Sequence, residues 1–174
     1  MKKHGILSKK ASRHFPRWKQ AEEGALVDDE KWMRAAIEQA LLAEEMDEVP
    51  IGAVIVRDGA LIAAAHNTRE TDKNPLCHAE VSAIAEAAQA LRGWRLPGCT
   101  LYVTLEPCPM CAGAAINARI PRIVFGAYDK KAGAFGTLYD LAEGKLNHKP
   151  EVTGGVLEEE CAQLLSSYFK KKRK

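Results

Sequence analysis

The sequence predicts an α/β protein of three layers, in which helices pack on both faces of a mixed central sheet of about five strands. Two apolar runs joined by Asp58-Gly59 predict a β-hairpin. After the hairpin, segments with helical spacing alternate with short apolar runs that are typical of strands. Strands that alternate with helices after an initial hairpin favour a mixed sheet covered on both sides.

Each element follows from local pattern. Apolar positions at helical spacing predict a first helix over 27–46, with Asp28 and Asp29 as candidate caps. The hairpin occupies 52–66, and an Ala-rich helix over 77–93 ends at Gly93. The remaining elements are a strand over 100–105, a helix over 108–120 that stops before Pro121, a strand over 122–128, a short strand within 151–157 and a closing amphipathic helix over 157–174.

The two ends of the chain differ in charge from its body. The first twenty residues hold seven Lys or Arg and no acid, and the last five residues are all basic, which leaves about −10 for residues 21–169. Residues 1–27 have no sustained periodicity, so we expect a basic flexible extension followed by one domain over 28–174. Basic ends are typical of solvated tails and also of segments that capture a polyanion such as RNA, and charge alone leaves both open.

Composition and cysteine content indicate the cellular compartment in which the protein is expected. No apolar run approaches the roughly 18 residues of a membrane span, so we expect no membrane partner. Five cysteines, an odd number at irregular spacings, do not suggest a secreted disulfide framework. A cytoplasmic, reducing location is therefore expected.

The segment "EPCPMCAG" presents Cys108 and Cys111, which could form a redox dithiol or bind a metal. A strand leads into the pair and a helix follows, as in thioredoxin-like dithiols. The segment "CHAE" upstream adds His78 and Glu80 at the start of another helix. One His and two Cys make a three-ligand zinc set with a fourth position open to water, whereas redox chemistry has no use for H-A-E. The metal interpretation is favoured.

Three other cysteines could close such a site into a structural one. Cys77 adjoins His78, and adjacent residues rarely reach the same tetrahedral ion. Cys99 opens a predicted strand, and Cys161 lies on the apolar face of the last helix, where small buried hydrophobes are common. An open site is therefore the favoured interpretation.

His-x-Glu followed by Pro-Cys-x-x-Cys is the signature of the zinc-dependent nucleobase deaminases. Within that superfamily the chain resembles the bacterial tRNA-specific adenosine deaminases from about Trp32 to Arg173. The stretches that carry the resemblance include "VPIGAVIV", "CHAEVSAI", "TLYVTLEPCPMCAGA", "FGAYDKKAGAFG" and the aromatic, basic C-terminal helix. The resemblance implies a cytidine-deaminase-like α/β/α fold and a homodimer.

The resemblance also implies a role for each matching residue. One zinc ion per chain would be bound by His78, Cys108 and Cys111, and Glu80 would be the proton shuttle. The purine would be contacted by the side chain of Asn67 and the main chain around Ala79. The implied contacts to the anticodon stem-loop of a tRNA are Asp129 beside the flipped base, and Tyr168, Phe169 and Lys170 along neighbouring nucleotides.

The implied reaction is hydrolytic deamination of adenosine to inosine at the wobble position of a tRNA anticodon. Local alternatives remain for single residues: Asn67 and Asp129 are also turn formers, and two adjacent aromatic residues on a helix cannot both face inward, which leaves one free for a base. Two other functions stay open, a free-nucleobase deaminase of the guanine or cytosine type and a catalytically silent, zinc-stabilised RNA-binding protein. An intact Glu80 argues against the silent protein, since binding alone does not need that carboxylate.

Overall fold

In the computed structural model of the chain, a five-stranded mixed sheet has helices on both faces. This architecture confirms the predicted fold class. The structure describes residues 17–173, and residues 17–27 by their backbone alone. The elements in chain order are α1 (Arg17–Glu45), β1 (Gly52–Arg57), β2 (Ala60–His66), α2 (Ala79–Ala90), β3 (Cys99–Leu105), α3 (Pro109–Asn117), β4 (Arg122–Ala127), β5 (Glu151–Thr153) and α4 (Glu158–Lys172).

The sheet has the order β2-β1-β3-β4-β5. β1 is antiparallel to both β2 and β3, while β3–β4 and β4–β5 are parallel pairs. The hairpin turns at Asp58 and Gly59, both with positive φ (51° and 71°), as a tight two-residue connection requires. The parallel step from β3 to β4 is made through α3, and it places the start of α3 at the end of β3.

Successive residues of β1 face opposite layers. Ala53 and Ile55 belong to one buried cluster, which includes residues of α2 and α3, while Val54 and Val56 belong to a second cluster with residues of α1 and α4. This period of two on a strand buried on both sides explains why the β1 sequence is almost wholly apolar. At Gly52 an added Cβ would collide with the backbone of α1 at Ala36 and Ala40, so α1 packs directly on the sheet.

The expected start of the first helix is wrong. α1 begins at Arg17 and continues through Asp28 and Asp29, so neither residue is a cap. Asp29 is instead buried, and its carboxylate accepts two hydrogen bonds from Arg122 (2.7 and 2.8 Å) and one from the Tyr102 hydroxyl (2.9 Å). This ion pair joins α1 to β3 and β4, and it raises the pKa of Arg122 well above its usual value.

The predicted basic extension falls partly outside the described residues. Its first sixteen residues lie beyond them, while the backbone of 17–27 is helical and forms the first part of α1. Within 17–173 no helix is both long and apolar enough to cross a membrane.

Candidate active site

Two helix N-termini meet beside the sheet and carry the predicted metal ligands. His78 immediately precedes α2 and Cys108 immediately precedes α3, and both have extended backbone (φ −78° and −71°). Pro109 occupies the first turn of α3, where its missing N–H costs no intrahelical hydrogen bond. Cys111 follows one turn later on the same face of α3 as Cys108.

The three ligand atoms form a compact cluster. His78 Nδ1 lies 3.8 Å from Cys108 Sγ and 3.5 Å from Cys111 Sγ, and all three ligand atoms lie within 4.8 Å of one another. A tetrahedral zinc ion with Zn–S of about 2.3 Å and Zn–N of about 2.0 Å separates a thiolate from an imidazole nitrogen by about 3.5 Å. The donor set and its spacing therefore fit a zinc-sized ion.

The cysteines are free and electrostatically distinct. A hydrogen bond from the Cys111 thiol lowers the pKa of Cys108 to about 4. Burial of Cys108 opposes this shift, and His78 adds to it. The Cys111 thiol donates that bond and is buried, so its pKa is raised well above its usual value. The hydrogen bond between the two thiols favours the thiolate form of Cys108, and a thiolate is the form of cysteine that binds a metal.

A fourth ligand does not join this cluster in the described part of the chain. Among residues 28–173 the group contains only His78, Cys108 and Cys111. Cys99 is buried at the start of β3, and Cys161 is buried against Gly126 in the layer of α1 and α4. The open three-ligand arrangement expected from the sequence is thus the arrangement that the fold brings together.

Glu80 lies in the first turn of α2, two residues after His78, and is only 4% exposed. Burial raises the pKa of its carboxyl group above the ordinary value, and no group of metal-ligating side chains among residues 28–173 includes it. A buried acid with a raised pKa next to a ligand-binding helix end is suited to taking and returning a proton near neutral pH.

Asn67 is buried directly after β2, and the main chain holds it beside the cluster. The Thr68 N–H donates to the Cys77 carbonyl (3.1 Å), which joins the end of β2 to the residue before His78. The side-chain amide of Asn67 donates to Glu48 Oε2 (3.2 Å). Ala79 opens α2 and is fully buried. The two predicted purine contacts therefore lie close along the main chain to His78, a predicted metal ligand.

Asp129 lies in the loop that follows β4, where its carboxylate accepts the Lys131 N–H (2.8 Å). This is the turn-forming role that the sequence left open. The loop is organised by Glu106, which is 2% exposed and accepts hydrogen bonds from the main chain of Asp129 (3.1 Å), Phe135 (3.0 Å) and Thr137 (3.1 Å). Because Glu106 precedes Pro107 and Cys108, one segment carries both the carboxylate that organises this loop and a predicted metal ligand.

The end of α4 separates its two aromatic residues. Tyr168 is 7% exposed and its hydroxyl donates to the Asp47 carbonyl (2.8 Å), whereas Phe169 is 45% exposed. Phe169 lines a hollow of about 320 Å³ with residues that include Lys131 from the loop after β4. Lys170 is exposed and is not among the lining residues of this hollow, which are Lys131, Phe169, Lys172 and Arg173.

Sequence reasoning missed two buried carboxylates, Glu48 and Glu106. Both precede a proline within two residues, in "EVP" and "EP", and both stand next to strongly apolar strands. An acidic residue close to both a strongly apolar strand and a proline is a sequence signal by which both could have been identified. Such a carboxylate is expected to be buried, and a buried carboxylate requires specific hydrogen-bond donors. It also missed Lys131, whose place beside Phe169 depends on a contact between distant segments.

Comparison with known proteins places the chain among deaminases. The family model described as MafB19-like deaminase matches residues 27–173. A tRNA-specific adenosine deaminase of Bacillus subtilis (strain 168) is 55% identical over 150 residues, which are 86% of this chain and 93% of the relative.

Two solved structures are also similar. One comes from work on A-to-I editing by tRNA:A34 deaminases at the wobble position; it has a TM-score of 0.76 and 44% identity and covers 78% of this chain and 99% of its own. A guanine deaminase from Bacillus subtilis has a TM-score of 0.56 and 30% identity, over 83% of this chain and 94% of its own. With 55% identity to a tRNA-specific adenosine deaminase over most of both chains and with the His-Cys-Cys cluster in place, the chain belongs to the tRNA-specific adenosine deaminases.

Proposed function

We propose that the chain hydrolytically deaminates adenosine to inosine at the wobble position of a tRNA anticodon, with one zinc ion bound by His78, Cys108 and Cys111. The observation that carries this proposal is the compact His-Cys-Cys cluster together with the buried Glu80, which lies in the first turn of α2 two residues after His78. The identity to tRNA-specific enzymes and the relation to a tRNA:A34 deaminase structure support the choice of substrate.

Glu80 carries the proton steps of the proposed mechanism. When bound, zinc lowers the pKa of water so that hydroxide is available near neutral pH. The carboxylate of Glu80 takes the proton that water gives up and delivers it to N1 of adenine, beside the reacting C6. The oxygen of that water adds to C6. Glu80 then takes the second proton from this oxygen and gives it to the amino group, so that the C6–N6 bond breaks, ammonia leaves and inosine remains. The raised pKa of Glu80 brings its proton affinity closer to that of the groups with which it exchanges protons.

The remaining residues of the site orient the substrate in this proposal. Asn67 hydrogen-bonds the purine and the main chain around Ala79 contacts it, while Asp129 lies beside the sugar-phosphate. Phe169 offers an exposed ring to a neighbouring base, next to the cations of the hollow. Stacking of about 1–3 kcal/mol per base offsets much of the few kcal/mol needed to take a base out of its stack.

The proposed enzyme is a cytoplasmic homodimer. Three exposed apolar side chains between β4 and β5, Leu138, Tyr139 and Leu146, are candidates for the surface that a second copy covers. Sedimentation of the purified protein tests the assembly, and a monomer at micromolar concentration would contradict it.

The test of the proposed function compares substrates side by side. We expect ammonia release from an anticodon stem-loop with adenosine at the wobble position, and none from free adenosine, guanine or cytidine, because contacts to flanking nucleotides orient the reacting base. Inosine in the product is detected by sequencing, where it pairs as guanosine. Turnover of guanine with none on the stem-loop would refute the proposal and favour a free-base deaminase.

The matched control for that test is Glu80→Gln, which keeps the shape of the side chain and removes its titratable group. It should retain zinc and stem-loop affinity and lose nearly all turnover, by about a hundredfold or more. Substantial deamination by this variant would mean that another residue moves the protons.

A further inference from the structure

Glu48 is a fully buried carboxylate that the proposed mechanism does not use. It lies between α1 and β1, and each of its oxygens accepts a different hydrogen bond. Oε1 accepts the main-chain N–H of Thr71 (2.6 Å), and Oε2 accepts a side-chain N–H of Asn67 (3.2 Å). Burial by itself would raise the pKa of Glu48, but hydrogen bonds from Thr71 and Glu70 hold it below the ordinary value, so the group is charged at neutral pH.

The position of Glu48 relates it to the reacting base. Asn67 and Thr71 both belong to the loop between β2 and α2, which the Thr68–Cys77 hydrogen bond closes next to His78. Glu48 itself follows Asp47, whose carbonyl is held by the Tyr168 hydroxyl of α4. The carboxylate is therefore anchored on one side and contacts the loop on the other.

The charge of Glu48 determines which way the Asn67 amide points. An amide has oxygen on one side and NH₂ on the other, and a flip exchanges them. With a buried carboxylate 3.2 Å from Nδ2, the flipped amide would set two acceptor oxygens against each other and leave the charge without a donor. The unflipped amide keeps Oδ1 and one N–H free for another partner.

We propose that Glu48 is a positioning residue that fixes the orientation of the Asn67 amide for recognition of adenine. The inference rests on the proposed function, in which Asn67 contacts the purine. The free edge of the amide, one acceptor and one donor, matches the N6–H donor and N7 acceptor of adenine, a pairing that asparagine makes elsewhere. A flipped amide would place like groups against each other at both atoms.

Glu48→Gln is the variant that tests this role. Glutamine has one acceptor oxygen in place of two, and we expect the Thr71 N–H, which makes the shorter hydrogen bond, to donate to that oxygen. The glutamine NH₂ then faces Asn67 and favours the flipped amide. The variant should lower kcat/KM on the adenosine stem-loop by roughly tenfold to a hundredfold, the discrimination of one bidentate contact.

The decisive measurement replaces N7 of the wobble adenine by C–H, using 7-deazaadenosine in the same stem-loop. The wild-type enzyme should lose roughly tenfold in kcat/KM on this substrate. Glu48→Gln, which has already lost the contact, should show little further loss. An equal 7-deaza penalty in both enzymes, or none in the wild type, would overturn the inference.

Asp29→Asn provides the control for a merely structural effect. Asp29 is another buried carboxylate with several donors, but its partners Tyr102 and Arg122 belong to β3 and β4. The variant should lose stability and still keep the full wild-type 7-deaza penalty. Loss of that penalty in Asp29→Asn would overturn the inference, because general loosening would then account for the effect.

A measurement on the wild type keeps the inference testable if Glu48→Gln does not fold. In a proton–nitrogen correlation spectrum, the Asn67 side-chain amide, assigned by its absence in Asn67→Ala, should have one proton shifted downfield by its bond to a carboxylate. Both protons at the positions of a solvated amide would overturn the inference. Failure of the wild type on the adenosine stem-loop would instead refute the proposed function.

Discussion

At the scale of single residues, the proposed metal centre depends on three side chains, and no other metal-ligating side chain joins them among residues 28–173. His78→Ala or Cys108→Ala should abolish most of the bound zinc, because two remaining ligands cannot hold the ion tightly. Metal analysis of the purified variants measures this. Cys77→Ser is the matched control: Cys77 adjoins His78 but lies outside the cluster, so this variant should keep its metal. Full retention of zinc in either ligand variant would refute the assignment.

Glu48 also predicts how stability depends on pH. The pKa of Glu48 in the folded chain lies below its ordinary value of 4.5, so the folded state favours the charged form. The stabilisation is present above about pH 4.5 and is lost as the pH falls through the lower, folded-state pKa. Glu48→Gln should therefore cost about 1–3 kcal/mol in the free energy of unfolding at neutral pH.

Urea unfolding of both proteins from pH 7 to pH 3 measures that difference. The gap should narrow below about pH 4.5, where the wild-type carboxylate gains a proton and becomes neutral like glutamine. A gap that stays constant across this range would mean that the charge of Glu48 contributes nothing to stability.

At the scale of elements, α4 uses neighbouring aromatic residues for different purposes. Tyr168 packs inward and its hydroxyl holds the Asp47 carbonyl, while Phe169 faces the hollow beside Lys131. Tyr168→Phe should cost about 1 kcal/mol of stability through the lost hydrogen bond. Phe169→Ala should leave stability nearly unchanged and weaken stem-loop binding roughly tenfold through the lost stacking.

Thermal unfolding and stem-loop titrations on this pair of variants separate the two roles. The residues are adjacent on one helix, so a general effect on α4 would alter both measurements in both variants. Unchanged RNA affinity in Phe169→Ala would show that the exposed ring does not contact a base.

At the scale of the whole molecule, the two ends of the chain are basic and its body is acidic. A deletion tests what the basic N-terminus contributes to the reaction on tRNA. Deletion of residues 1–27 should leave deamination of tRNA largely intact, because it removes only the first residue of the region 27–173 that matches the deaminase family. Steady-state kinetics at several salt concentrations measure this. A large rise in the KM for tRNA that depends steeply on salt would contradict the prediction and assign the basic arm to the RNA site.

Local sequence pattern was sufficient to predict the helices and strands and to name the three side chains that the fold brings together. Hydrophobic period and turn residues predicted every strand and helix, because each depends on neighbours along the chain. His78, Cys108 and Cys111 could be named because ligand chemistry restricts their types and because two helix starts carry them. The predicted start of α1 was wrong, because Asp29 resembles a helix cap in its local sequence while its hydrogen-bond partners Tyr102 and Arg122 lie far along the chain.

The sequence by itself determined the fold class, the three-ligand cluster and the acid beside it. Only the tertiary structure decided which aromatic residue of α4 is exposed, which loop adjoins it, and what the buried carboxylates do. Glu48 acts on a residue 19 positions away and Glu106 on one 29 positions away. The physical reason is that a buried charge must find its donors wherever the packed chain places them, and sequence spacing does not encode that placement.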